Sequence, residues 1–177
     1  AALTINNFSV INNSPFEGDT LVSGKTIKLD MGIRQLFKSN SESIKVNALF
    51  LDQAFVNIKI DSLGNANYDI NLKKDNQNNT ETETNKEGFT FALNNYEIKD
   101  SRINYLDAKS KTFLILKEFN HEGAGDLSAA LTNLTTKTET LASLEMDGVT
   151  YLNETPIALD ADFELDIDNQ KYTFLEN

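Results

Sequence analysis

The chain has no cysteine and no tryptophan, and its 177 residues include two prolines, eight glycines and one histidine. Without cysteine there is no disulfide framework, no thiolate zinc site and no thiol nucleophile. Without tryptophan the core must be built from Phe, Leu, Ile, Val and a few Tyr, and sugar-stacking platforms are scarce. The glycines are scattered, so no loop can cradle a phosphate. A Ser-His-Asp triad would have to use His121, which lies in Asn120-His121-Glu122-Gly123 with no nucleophile elbow anywhere in the chain. It reads as an ordinary surface residue. Basic residues are also sparse: 16 Lys and Arg stand against 27 Asp and Glu, a net charge of −11. This balance excludes phosphate-driven nucleic-acid binding and electrostatic docking on anionic headgroups, while leaving contact with apolar lipid tails open. No apolar run is long enough to span a membrane, and no signal peptide is present.

What the sequence has is alternation. Ile157, Leu159, Ala161, Phe163, Leu165 and Ile167 interleave with Ala158, Asp160, Asp162, Glu164, Asp166 and Asp168. Successive strand side chains point to opposite faces, so this segment has one apolar and one acidic face, the mark of an antiparallel sheet with one wet side. The same period appears in Ala54, Val56, Ile58 and Ile60, in Ile27, Leu29 and Met31, and in Phe89, Phe91 and Leu93. Thr138 to Met146 alternates more loosely. At Asn6-Asn7 the parity slips, from Leu3 and Ile5 to Phe8 and Val10, which predicts a bulge.

Turn chemistry separates the runs. Asp61-Ser62-Leu63-Gly64-Asn65 and Asp107-Ala108-Lys109-Ser110 divide strand pairs, and Lys99-Asp100-Ser101, Asp147-Gly148 and Asp168-Asn169 read as tight corners. A short helix is predicted over Met31 to Lys38, capped by Asp30, and a weaker one near Ser128 to Leu134. Lys73 to Glu87 holds no apolar residue and reads as a mobile surface loop. Leu51–Asn57 resembles Lys99–Tyr105, a faint internal repeat. The fold expected is all-β, mainly antiparallel, strongly curved or two-layered, with one or two short helices. Residues 1–177 form a single β-domain. The start at Ala1 and the strand-like Lys171 to Leu175 predict a segment of a longer protein.

The acidic row from Asp160 to Asp168 is a weak calcium candidate. Same-face residues lie about 7 Å apart along a strand, too far for one strand to enclose an ion held at roughly 2.4 Å. A solvated face that discourages edge pairing is the simpler reading. Asp61–Asn65 lacks the alternating ligands and closing Glu of a calcium loop. No local pattern singles out two acids for glycoside hydrolysis. No catalytic residue, metal site or cofactor is therefore expected, and the chain does not read as an enzyme.

The order of several segments resembles the AsmA family of bacterial envelope proteins, in the version that Bacteroidetes carry. Phe8-Ser9-Val10-Ile11-Asn12-Asn13-Ser14-Pro15-Phe16-Glu17-Gly18 precedes a strand and then Met31-Gly32-Ile33-Arg34-Gln35-Leu36-Phe37. A strand through Ile44–Ile58 follows, then Asp61-Ser62-Leu63-Gly64-Asn65-Ala66-Asn67-Tyr68, where the family more often has Trp at the last position. Tyr96 to Asp107 is similar to the family's later hairpin. The family's N-terminal membrane anchor is absent from this sequence. The resemblance implies a periplasmic segment of a parent anchored in the inner membrane, with a part in outer-membrane biogenesis or lipid transfer. Its partners would be lipid acyl chains and envelope proteins. The groove for those chains would be apolar, with Val56, Ile58, Phe91, Phe163 and Leu165 as candidate lining. The alternative is a structural or adhesive β-module that binds a protein through its sheet edges.

Overall fold

In the computed structural model, residues 2–32, 44–69, 89–126, 131–166, 169 and 171–176 are described. They form eight strands: β1 (Ala2–Ile11), β2 (Thr20–Asp30), β3 (Ile44–Ile60), β4 (Phe89–Asp107), β5 (Thr112–Ala124), β6 (Leu131–Met146), β7 (Val149–Asp166) and β8 (Lys171–Glu176). All eight belong to one sheet whose spatial order is the chain order. Every pairing is antiparallel except β3 with β4, which is parallel. The fold is all-β, and among the described residues this one sheet is the only sheet.

β6 shows why these residues make a sheet. Thr132, Leu134, Thr136, Thr140 and Ala142 are buried, while Leu131, Asn133, Thr135, Lys137 and Glu139 between them are exposed. β-branched threonines suit a pleated, half-covered surface. Two rows of paired residues tie the other strands to this alternation. Ile5–Ile27–Leu51–Ile98–His121 ends on Thr138, and Val10–Val22–Val56–Ile103–Leu116 ends on Ala142. Both rows therefore lie on one apolar face.

The parity of the apolar residues changes between those rows, and left-handed backbone accounts for it. Asn7 in β1, Gln53 in β3, Asp100 in β4 and Glu118 in β5 have φ between 45° and 52°. A residue in this region turns the strand and resets which neighbours face the same way. In β3 the apolar face passes from Leu49 and Leu51 to Ala54, Val56 and Ile58. The slip expected at Asn6-Asn7 is thus found at Asn7, although Asn6 and Phe8 keep the same pairing register with β2. Asp100 makes a kink inside β4 and not the corner expected at Lys99-Asp100-Ser101. The repeated segments lie side by side in the parallel pair, one residue out of their sequence alignment. Val56 stands beside Ile103, and the Ala54 N–H donates to the Ser101 hydroxyl at 3.0 Å.

The short helices are not found among the described residues. Leu131 to Leu134 open β6 instead, paired with Phe163 to Asp166 of β7. Met31 and Gly32 are not helical, and residues 33–38 and 128–130 of the predicted helices, with the loop expected at 73–87, lie outside the described residues. The predicted turns at Asp61 and Asp107 are present. Asp61 Oδ1 accepts from Leu63 N and Asn65 N, and Asp107 Oδ1 accepts from Lys109 N and Ser110 N, all at 2.9–3.0 Å. Asp147 and Gly148 have φ of 50° and 79°, as a two-residue hairpin turn requires.

Buried apolar residues are few. Met31 and Val46 form a small cluster with Leu29 and Leu49 at one end of the sheet. At the other end Asn12, Asn57 and Asn67 are buried and bonded together. Asn67 accepts from Lys59 N at 2.9 Å and donates to Asn57 O at 2.6 Å and to Asn12 Oδ1 at 3.3 Å. Asn12 in turn donates to Asn67 O at 2.6 Å.

Candidate functional site

The two faces of the sheet offer different chemistry. The apolar face carries Leu29, Leu49, Leu51, Val56, Ile58, Ile98, Ile103, Leu116, Leu159 and Phe163, all half-buried. Its exposed members gather at the two edges of the sheet. At one edge are Leu3 (40% exposed), Ile5 and Val10. At the other, the face ends on Tyr172 and Phe174, paired with Leu165 and Phe163 and themselves 69% and 56% exposed. The Phe163 and Phe174 rings stack at a tilt, 4.5 Å between centroids. The exposed apolar side chains thus form two edge patches joined by a half-buried apolar face.

Four of the five candidate groove residues fall on this face, in two places. Val56 and Ile58 lie on β3, and Phe163 and Leu165 lie four strands away on β7. Phe91 belongs to β4, its backbone opposite Val46. Val56, Ile58, Phe163 and Leu165 do not line the main concavity among the described residues.

That concavity, an open groove of about 810 Å³, follows the opposite face. It crosses the strands along the paired row Lys28–Phe50–Glu97–Glu122–Lys137–Asp160. Small side chains of the adjacent row, Ala48, Ala124 and Thr135, leave the space open. The Lys28 ammonium sits 5.0 Å from the Phe50 ring centroid and that of Lys99 6.0 Å from it. Lys99 also pairs with Glu97 at 2.8 Å, which holds the lysine's pKa above its usual value. The groove thus carries charges of both signs, with Glu97 and Glu122 side by side between the lysines.

His121 is not the surface residue its polar neighbours suggest. It sits half-buried on the apolar face, stacked on Phe119 at 5.6 Å between centroids. One ring nitrogen, Nε2, lies 2.9 Å from the Tyr96 hydroxyl, and the other, Nδ1, lies 2.8 Å from the Thr138 hydroxyl. Burial lowers its pKa, with Glu122 opposing the shift, and burial raises that of Tyr96. The Tyr96 ring lies over Gly123, directly opposite on β5, where a Cβ would overlap the ring. Gly123 was the sequence signal for this cluster: a glycine inside a strand marks a close approach.

Compared with known proteins, the chain matches no family model, no curated protein and no solved structure.

Proposed function

We propose that the chain is a non-catalytic, lipid-handling segment of an AsmA-like envelope protein, periplasmic, in a parent anchored in the inner membrane. The observation that carries the lipid part is the apolar face: continuous from β1 to β8, exposed at both edges, and without a second sheet among the described residues. A one-sided sheet must cover its apolar side with another sheet, helices or a ligand. Acyl chains laid on it would gain roughly 25 cal/mol per Å² of apolar area removed from water, with no acid–base chemistry. Val56 and Ile58 on β3, with Phe163 and Leu165 on β7, would form two stretches of that surface. The family and compartment come from the motif order alone.

The test is organic extraction and mass spectrometry of the protein purified without detergent, ideally within its longer parent. Co-purifying phospholipid or lipopolysaccharide acyl chains are expected. Val56→Asp and Ile58→Asp variants that keep the far-UV signature of the sheet should lose most of that lipid. A parent protein free of lipid, or variants that retain wild-type amounts, would refute the proposal.

A further inference from the structure

Open sheets have two edges, and proteins usually guard both with short strands, charges or proline. β8 is guarded: six residues long, with Lys171 first and Glu176 last. β1 is not. It runs for ten residues, Ala-Leu-Thr-Ile-Asn-Asn-Phe-Ser-Val-Ile, nine of them exposed, and it is the only one of the eight strands with no ionisable side chain.

The same ten residues read nearly alike in both directions. About the midpoint between Asn6 and Asn7, Asn6 mirrors Asn7, Ile5 mirrors Phe8, Thr4 mirrors Ser9, Leu3 mirrors Val10 and Ala2 mirrors Ile11. The left-handed Asn7 makes this possible, because it shifts the apolar positions from odd to even half-way along the strand. Leu3, Ile5, Phe8 and Val10 all pair with β2 residues of the apolar face, while Thr4 and Ser9 belong to the other. A strand of this pattern is complementary to a copy of itself turned by two-fold rotation.

We infer that two copies of the chain associate through β1, antiparallel about a two-fold axis between Asn6 and Asn7, into one sheet of twice the width. Rotation about an axis normal to the sheet keeps both apolar faces on the same side. Leu3 then meets Val10 of the other copy, Ile5 meets Phe8 and Thr4 meets Ser9, the close cross-strand pairs that stabilise sheets. Charge favours this edge over the other. Chains of net charge −11 repel, yet β1 with β2 contributes two lysines against one aspartate, whereas β7 with β8 contributes one lysine against six acids. Contact through one ten-residue strand lies near the low end of specific interfaces, roughly 1,200 Å² or less in total, so the dimer is reversible. Its interface is isologous and closes at two copies.

Sedimentation equilibrium of the 177-residue chain, from low micromolar to near-millimolar concentration, is expected to show the average mass climbing from 19.8 kDa toward twice that value. Thr4→Lys/Ser9→Lys chains should stay monomeric, as should Thr4→Glu/Ser9→Glu chains, with circular dichroism unchanged. An equimolar mixture of the two should dimerise again, since each lysine then faces a glutamate. A mixture of Thr4→Cys and Ser9→Cys chains, with no other cysteine present, should cross-link as a heterodimer several-fold faster than either alone. A monomer at every concentration, self-association of the charged variants equal to wild type, or no preference for the 4–9 cross-link would each overturn the pairing.

Discussion

Asn67→Ala should be among the most damaging single substitutions in the chain. The side chain is 4% exposed and satisfies three partners: the Lys59 amide, the Asn57 carbonyl and the Asn12 amide oxygen. Asn12 and Asn57 are as deeply placed, at 8% and 7%. Truncation to alanine leaves one buried N–H and one buried C=O without partners, each costing about 1–3 kcal/mol, and removes a third bond, to Asn12 Oδ1, that is long at 3.3 Å and so contributes less. Water entering the space returns part of this, so the expected loss is about 3 kcal/mol. That is a large fraction of the roughly 5–15 kcal/mol by which domains are stable. Urea unfolding followed by far-UV circular dichroism should show a lower midpoint with an unchanged slope. In a thermal scan the midpoint should fall by roughly 6–12 °C. Asn67→Asp keeps the acceptor for Lys59 N but aims a carboxylate at two oxygens, so it should be at least as harmful at neutral pH. The Asn12→Ala/Asn67→Ala double variant should lose clearly less than the sum of the single losses, because the two side chains share a bond. A loss under about 1 kcal/mol for Asn67→Ala, or strict additivity with Asn12→Ala, would refute the reasoning.

Gly123→Ala should push the Tyr96 ring off β5 and break its bond to His121, at a cost of about 1–3 kcal/mol; Tyr96→Ala in the same background should remove most of that penalty. His121 is the only histidine, so its nuclear magnetic resonance titration is unambiguous. Its folded pKa lies below the unfolded value of about 6.5, so stability should be full above that pH and fall as pH drops toward the folded pKa. An apparent pKa at or above 6.5 would contradict the buried placement, and Tyr96→Phe should shift the titration by removing one of the two hydroxyl partners.

Local pattern made the strands legible. Ile157 to Asp166 alternates so regularly that its two faces can be assigned from the sequence, the Asp61 and Asp107 turns follow from side-chain bonds within a few residues, and the Asp147-Gly148 turn follows from the left-handed backbone this pair favours. Long-range placement was hidden. The parallel union of β3 with β4 depends on residues far apart in sequence, and only the faint likeness of Leu51–Asn57 to Lys99–Tyr105 pointed to it. Asp100 looked like a corner because Asp favours turns and left-handed backbone alike; the pairing of β4 on both sides keeps the strand running through it. Thr132 and Leu134 suited a helix as well as a strand until their β7 partners decided the matter. The groove went unseen for another reason. Apolar periodicity does not mark it, because the concave space lies over Lys28, Phe50, Glu97 and Lys137, where large and small side chains from seven strands meet in register.

The β3–β4 pairing also governs how the chain must fold. Every other neighbour pair is a sequential antiparallel connection, closed by short or moderate loops. From β4 onward the strands can zip together in order, each docking on the one just formed. Between Ile60 and Phe89, however, the chain returns the whole length of β3, about 53 Å at 3.3 Å per residue, before β4 can lie alongside it. Closing that long connection carries the largest entropic cost in the sheet, and it comes before the parallel contacts can offset it. The β1–β3 and β4–β8 halves should therefore form separately, with their union through β3 and β4 setting the folding rate.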